Sequence, residues 1–186
     1  MKVQRERSTF PLTYDDYALL PQDRNRYEIL DGELYVTPSP SYGHQLAVYR
    51  LATFLGSHVE AKGLGQVLFA PLDVLLAETN IVQPDILFLS RGKIPPGKAK
   101  NIQVAPDLVV EVLSESTAEQ DRLHKKRIYA RHGVPHYWIV DPENRTLEVF
   151  ELAGAEYRPA GSFTGEALAA SSLFPGLAIP LARLWA

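Results

Sequence analysis

Apolar residues recur at the spacing of a helix between positions 43 and 62. They are Val48, Leu51, Ala52, Leu55 and Val59. Side chains three and four residues apart share one face of an α-helix, and Gly63 follows as a typical end signal. The pattern therefore predicts a helix over 43–62. Shorter helices are predicted over 13–20, where Thr13 can cap the first turn, and over 117–132.

The other apolar residues fall mainly in short runs that are typical of β-strands. Residues 26–36 form two such runs around Asp31 and Gly32, a dipeptide that is typical of a tight hairpin turn. A run over 106–113 is apolar on both faces apart from its acids, which predicts a buried central strand. Further strands are predicted over 67–76, 81–90 and 136–140, with a second hairpin formed by 146–152 and 156–159.

Strands in the middle of the chain with helices around them predict an α/β fold. We expect one domain over 1–186, because 186 residues is a common size for a domain with its own core. Its central β-sheet should be mixed and flanked by helices, with a β-hairpin near the N-terminus. The core should span about 26–152, followed by a C-terminal hairpin and an anchoring tail over 146–186. The apolar anchor of that tail consists of Leu173, Phe174, Leu177 and Ile179.

Composition narrows the range of functions. The sequence has no cysteine, which excludes disulfides, thiol nucleophiles and cysteine-ligated metals. Nineteen basic and 22 acidic residues give a net charge of −3, which argues against a generally basic surface for nucleic acid but leaves a local one open. No apolar run approaches the roughly 18–20 residues that cross a bilayer, and residues 1–10 do not resemble a secretory signal. We therefore expect a cytoplasmic protein with no membrane partner.

Two acidic residues lie within predicted strands. Asp85 belongs to the run 81–90, and Glu111 shares a strand face with Val109 and Leu113. A carboxylate among apolar side chains is costly to bury unless a cation pairs with it. Two such acids on neighbouring strands could hold Mg²⁺, which prefers oxygen ligands. A salt bridge, or a position at a strand end near water, is the alternative for each acid.

Polar residues at a spacing of four mark the predicted helix 117–132. Thr117, Asp121, Lys125 and Tyr129 form one slowly winding stripe on its surface. The stripe contains a cation that could face the two acids. A solvated face, with an ion pair between Asp121 and Lys125, is the alternative and is the more common arrangement for such a stripe taken alone.

These motifs together resemble the PD-(D/E)XK nuclease superfamily, and more closely the Uma-type family of bacterial endonuclease-like proteins. The resemblance covers roughly residues 10–185. The matching segments are RYEILDGELYVTPSPSYGHQ (26–45), VQPDILFLS (82–90), APDLVVEVLSESTAEQD (105–121) and GVPHYWIVDPE (133–143). The resemblance implies a restriction-endonuclease-like core for the α/β fold.

The resemblance also implies a metal-dependent endonuclease that hydrolyses phosphodiester bonds of nucleic acid, with DNA as the expected substrate. Asp85, Glu111 and the carbonyl of Val112 would bind Mg²⁺, for which Mn²⁺ should substitute. Glu28 would be a third acid, as a metal ligand or an orienter of water, and an exposed hairpin carboxylate is the alternative. His44 would contact phosphate or cap its helix.

One position departs from the superfamily pattern. The superfamily places a lysine two residues after the second acid, where this chain has Leu113. The pattern D-x-x-x-K-x-x-x-Y of the resembling family matches Asp121, Lys125 and Tyr129, which implies that Lys125 supplies the catalytic cation from the helix. The alternative hypothesis is a catalytically inactive nuclease-fold protein that binds nucleic acid or a partner protein.

Basic residues outside these motifs are candidates for backbone contacts. The segment 91–105 contains no acid, and we expect its Lys98 and Lys100 to contact nucleic acid together with Lys126 of the helix. Such contacts position a duplex without reading its sequence. Superfamily members that cut duplexes often act as dimers, so a homodimer is also expected.

Overall fold

The computed structural model of the protein describes residues 4–6, 10–21, 23 and 25–185. The ends of the expected domain 1–186 lie outside these residues, and the single-domain interpretation stays a prediction. In chain order the elements are β1 (Gln4–Glu6), α1 (Tyr14–Tyr17), β2 (Arg26–Leu30), β3 (Glu33–Thr37), α2 (Tyr42–Lys62), β4 (Gly65–Phe69), β5 (Val74–Ala77), β6 (Asn80–Val82), β7 (Ile86–Ser90), a short 3₁₀ turn (Arg91–Lys93), β8 (Leu108–Val112), a π-helical segment (Gln120–Lys125), α3 (Lys126–Arg131), β9 (His136–Asp141), β10 (Thr146–Ala153), β11 (Glu156–Thr164), β12 (Leu168–Ala169), β13 (Ile179–Pro180) and α4 (Ala182–Trp185).

The central sheet has six strands in the order β11-β10-β9-β8-β7-β4. Strands β8 and β9 run parallel, and the other neighbouring strands run antiparallel. The predicted mixed central sheet flanked by helices is therefore confirmed. Every residue of β8 is buried, as expected for a strand in the middle of the sheet.

A second, antiparallel sheet has the order β1-β3-β2-β6-β5. It contains the predicted N-terminal hairpin, in which β2 pairs with β3 across Asp31 and Gly32. Both turn residues have positive φ, 52° at Asp31 and 80° at Gly32, as a type I′ turn requires. A Cβ added to Gly32 would lie 2.5 Å from the Cβ of Pro11, so this position has no room for a side chain.

The middle strands β7, β8 and β9 of the central sheet are buried on both faces. One face packs against α2 and the C-terminal tail, where the predicted anchor residues Phe174 and Ile179 are buried. The other face packs against α3 and the second sheet. Alternate residues of β8 divide between the layers, since Val110 joins the first and Val109 the second. Glu111 lies on the same face of β8 as Val109 and therefore points into the layer between the two sheets.

Two predicted strands are each divided in the structure. The run 67–76 forms β4 and β5, which belong to different sheets, and the run 81–90 forms β6 and β7, which are divided in the same way. Pro71 lies in the first gap and Pro84 in the second, and a proline cannot donate to a strand ladder. Asp85 therefore lies where the chain crosses between sheets and not inside a strand, which corrects the sequence-based expectation.

The helices differ from prediction mainly at their ends. Helix α2 is confirmed, with the Ser41 side chain capping its first turn and Gly63 in the left-handed conformation after its last. The predicted helix 13–20 is shorter and covers Tyr14–Tyr17. The predicted helix 117–132 begins with the π-helical segment, which continues directly into α3. None of the helices described is both long and apolar enough to cross a membrane.

Asp107 anchors the segment 91–105 at the start of β8. Lys93 Nζ lies 2.8 Å from one of its carboxylate oxygens, and the Ser90 N–H donates to the other at 2.7 Å. Burial alone would raise the pKa of Asp107, but these partners outweigh it and hold the pKa below its ordinary value. A lowered pKa stabilises the folded state only while the carboxylate is ionised.

Asp107→Asn should therefore lower the free energy of unfolding by about 1 kcal/mol at pH 7. The loss should shrink as the pH falls below about 4, where the wild-type carboxyl is increasingly protonated in the unfolded chain. Urea unfolding of both proteins at pH 7 and pH 3 measures this. An equal loss at the two pH values would contradict it.

Candidate active site

The candidate site lies where the two sheets meet. Its charged and phenolic side chains come from β2 (Arg26, Glu28), the crossing after β6 (Asp85), β8 (Glu111), the π-helical segment (Asp121, Lys125) and α3 (Tyr129). The four carboxyl groups and the lysine are each at most 2% exposed. Buried charges of this kind are stable only when they pair with one another.

The helix after β8 turns its polar stripe inward. Thr117, Asp121, Lys125 and Tyr129 are all buried, so the alternative of a solvated face is wrong. The π-helical segment contributes to this arrangement, because its wider turn bonds residue i to residue i+5 and changes which side chains align. The stripe therefore faces Glu28 and Glu111.

Lys125 joins three acids from different elements. Its Nζ lies 2.8 Å from Glu28 Oε1, 3.0 Å from Glu111 Oε1 and 3.6 Å from Asp121 Oδ1. Burial alone would lower the pKa of Lys125, but the three carboxylates outweigh it and raise the pKa above its ordinary value. Lys125 is therefore a charged ammonium group beside Glu28 and Glu111.

Glu28 belongs to the cluster and not to the surface. Its Oε1 accepts hydrogen bonds from Lys125 and, at 2.8 Å, from the backbone N–H of Gln83. The alternative of an exposed hairpin carboxylate is wrong, since the side chain is 1% exposed. Burial alone would raise the pKa of Glu28, but Lys125 and Arg26 lower it overall, so this acid is ionised.

Arg26 is the member of the cluster that the sequence did not reveal. Its Nη1 lies 2.7 Å from Asp85 Oδ1, and its Nη2 lies 4.0 Å from Glu111 Oε2. The same Nη2 lies 3.6 Å from Glu28. The available signal was strand alternation, because residues 26 and 28 share one face of β2. An arginine at the start of a hairpin strand is so common that this spacing alone does not indicate a site.

Asp85 is held in its ionised form. Its Oδ2 accepts the backbone N–H of Val112 at 2.8 Å and lies 3.2 Å from His44 Nε2. Burial alone would raise the pKa of Asp85, but Arg26 and His44 outweigh it and lower the pKa. His44 therefore adjoins an acid of the site. The expected capping role belongs to Ser41, whose Oγ accepts the His44 N–H at 3.2 Å.

The surroundings of Glu111 disfavour its ionised form, in contrast to those of Asp85. Its Oε1 accepts from Tyr129 Oη at 2.6 Å and from Lys125, whereas its Oε2 is buried without a hydrogen-bond partner. Burial raises the pKa of Glu111 to about 8, and the nearby Asp121 and Asp85 add to the shift against the opposing effect of Lys125. Burial likewise raises the pKa of Asp121 to about 6.

The oxygen atoms of the site suit a divalent cation. Within the described part of the chain, no group of three or more His, Cys, Asp or Glu side chains is already arranged around a metal position. The guanidinium of Arg26 lies beside both acids instead, 2.7 Å from Asp85 and 4.0 Å from Glu111. Val112 follows Glu111 at the end of β8 and lines the cleft together with Asp85. Carboxylate and carbonyl oxygens are the ligands that Mg²⁺ prefers.

The cluster borders a cleft with a volume of about 1180 Å³. Asp85, Val112, Arg26 and His44 are among the residues that line it. The segment 91–105 is not, because it joins the ends of β7 and β8 that lie farthest from Asp85 and Glu111.

The structure therefore does not bring Lys98 and Lys100 to the cleft, although both are exposed. Lys126 is also outside the cleft lining, and its Nζ lies 3.4 Å from the centre of the Phe150 ring. Nucleic-acid contacts by these three lysines stay predictions.

Asp85 and Glu111 should respond differently when their charge is removed from the metal-free protein. Asp85→Asn should lower the free energy of unfolding by about 2 kcal/mol or more, because Arg26 loses its short ion pair. Glu111→Gln should be at least as stable as wild type, since burial already disfavours the ionised form of that acid. Urea unfolding in the presence of a chelator measures the free energy of unfolding of both variants. Equal losses would mean that the fold stabilises the ionised form of the two carboxyl groups to the same extent.

Neighbouring lysines should also differ in their effect on stability. Lys125→Met should cost about 3–5 kcal/mol, because the ionised Glu28 loses the cation that pairs with it and Glu111 loses a hydrogen-bond donor. Lys126→Met is the matched control and should cost about 0.5–1 kcal/mol through loss of its cation–π contact with Phe150. Thermal or urea unfolding distinguishes them, and similar costs would mean that Lys125 does not hold the acids together.

Comparisons with known proteins agree with this fold. A protein of Synechocystis sp. that is described as uncharacterised is 32% identical over 131 residues, which are 69% of this chain and 67% of that protein. A crystal structure described as a putative nuclease belonging to DUF820, from Anabaena variabilis, has a TM-score of 0.80 at 22% identity. It matches over 94% of this chain and 98% of that one, which shows a shared fold.

The family resemblance inferred from the sequence is confirmed. The profile of the Uma2 family, described as "Putative restriction endonuclease", matches residues 14–182, from the first helix to the last. This match includes every residue of the buried cluster. The protein therefore belongs to the Uma2 family.

Proposed function

We propose that this protein is a Mg²⁺-dependent endonuclease that hydrolyses phosphodiester bonds of DNA. Membership of the Uma2 family and the nuclease-like fold support a nuclease-like function. The observation that carries the more specific proposal is the position of Lys125, whose Nζ lies 3.0 Å from Glu111 beside the cleft that Asp85 lines.

Asp85, Glu111 and the Val112 carbonyl would hold the cation, and Mn²⁺ should replace Mg²⁺. When bound, the ion lowers the pKa of a water molecule and polarises a phosphoryl oxygen. Tyr129 Oη fixes one oxygen of Glu111, so that Oε2 is the oxygen left free to bind. The Val112 N–H fixes Asp85 in the same way through Oδ2.

Lys125 would supply the positive charge that the superfamily pattern places at position 113. Leu113 is 6% exposed and packs in the apolar layer between the sheets, so the usual position of the lysine holds a core side chain. The ammonium of Lys125 reaches Glu111 from the helix instead, and Glu28 holds it at 2.8 Å. A fixed charge at this point stabilises the negative charge that develops on the phosphoryl group during hydrolysis.

The inactive alternative has one observation in its favour, which is Leu113 itself. Against it stands the cost of the cluster, because four buried carboxyl groups lower the stability of a protein that only binds. A homodimer and a cytoplasmic location are further expectations that stay predictions.

Cleavage of supercoiled plasmid DNA tests the proposal. Wild type should nick the plasmid with Mg²⁺ or Mn²⁺ and lose this activity in a chelator. Asp85→Asn should be inactive, and Lys125→Arg, which keeps the charge but not the ammonium geometry, should be slower by about 10²–10³-fold. Arg131→Met is the matched control, since Arg131 pairs with Asp31 away from the cleft, and it should cut at the wild-type rate.

Circular dichroism should confirm that each variant is folded before its activity is interpreted. A folded wild-type protein that leaves the plasmid intact with both ions would contradict the proposal and favour the inactive alternative. Lys125→Arg activity equal to wild type would contradict the role of Lys125.

A further inference from the structure

We propose that Arg26 binds the phosphate of the substrate. In the metal-free protein Asp85 pairs with Arg26, and a divalent ion that binds Asp85 replaces Arg26 and releases it into the cleft. This inference rests on the proposed function. It assigns to Arg26 two states, one paired with the acids of the metal-free site and one released into the cleft.

The charges around the cleft leave few candidates for binding a polyanion. Among the described residues that line it, the acids are Asp23, Asp85, Glu115, Asp141 and Glu143, and Arg26 is the sole Arg or Lys. A phosphate backbone is bound chiefly through such cations. Lys125 is fully buried behind the acids, so its ammonium cannot leave them for a phosphate.

Arg26 is held less tightly than Lys125. One short contact binds it, the 2.7 Å pair between Nη1 and Asp85 Oδ1, while its Nη2 is 3.6 Å from Glu28 and 4.0 Å from Glu111. Its Nε is buried without a hydrogen-bond partner, and 19% of the side chain is exposed to the cleft side. A guanidinium has five donors in a flat fork that fits two phosphate oxygens, and most of those donors are poorly used here.

A divalent ion and Arg26 compete for the same oxygens. An ion between Asp85 and Glu111 would neutralise the charge that now attracts the guanidinium, and would repel it. The two effects are linked thermodynamically. The free energy by which the Arg26–Asp85 pair weakens ion binding equals the free energy by which the bound ion weakens that pair. Ion binding should therefore increase DNA affinity partly by freeing this side chain.

The first test measures ion affinity without activity. Calorimetric titration with Mn²⁺ should show that Arg26→Met binds the ion about tenfold more tightly than wild type, while Arg131→Met, which loses an arginine–aspartate pair elsewhere, binds it as wild type does. Equal or weaker binding by folded Arg26→Met would overturn the inference, since it would mean that Arg26 supports the acids and does not compete.

The second test measures DNA binding. With Ca²⁺ present, fluorescence anisotropy of a short labelled duplex, checked by gel to be intact, should give a salt slope for Arg26→Met that is smaller than the wild-type slope by about 0.9, the value for one phosphate contact. In a chelator the two slopes should be equal, because Arg26 is then paired with Asp85. Equal slopes with Ca²⁺ would overturn the inference.

The third test uses wild type and needs no variant to fold. Phenylglyoxal modifies free guanidinium groups, and peptide mass spectrometry reports each arginine separately. Modification of Arg26 should be slow in a chelator and fast with Mn²⁺, while that of Arg131 should not change. Protection of Arg26 under both conditions would refute this inference alone if the protein binds Mn²⁺ and cuts plasmid. A protein that binds no Mn²⁺ would refute the proposed function as well.

Discussion

The structure depends on one buried ammonium group. Lys125 is fully enclosed, and its three carboxylate neighbours belong to β2, β8 and its own helical turn. The second sheet, the central sheet and the helix are thus joined at one point by charge as well as by apolar packing. An isolated carboxylate could not be buried at this depth, so the lysine is what allows acids to lie in the layer between the sheets.

The crossing of the chain between the sheets brings Asp85 to that point. Proline at positions 71 and 84 ends each ladder where the chain leaves one sheet for the other, and the Ala70 N–H donates to the Asp85 carbonyl at 3.1 Å between the two crossings. The bend directs the Asp85 side chain to the backbone N–H of Val112 on the next strand.

Local patterns were sufficient for most of the fold. Helical spacing predicted α2, the Asp31-Gly32 dipeptide predicted the first hairpin, and alternation placed Glu111 on the correct face of β8. Long-range pairing was not predictable, because whether Glu28 or the polar helix stripe faces water depends on which sheet covers it. Arg26 was missed for the same reason. Residues that match a family motif were easier to find than those defined only by their neighbours in space.

The residues that build the site lie far apart along the chain, and this separation affects when the site can form during synthesis. The cluster needs β2 from the first part of the chain and the helix that follows β8, and the layer between the sheets closes only when both have docked. A growing chain on the ribosome, which folds from its N-terminus, has Glu28 and Asp85 long before it has Lys125. Any nuclease activity of this site must therefore wait until the helix that carries Lys125 has been made and has packed against both sheets.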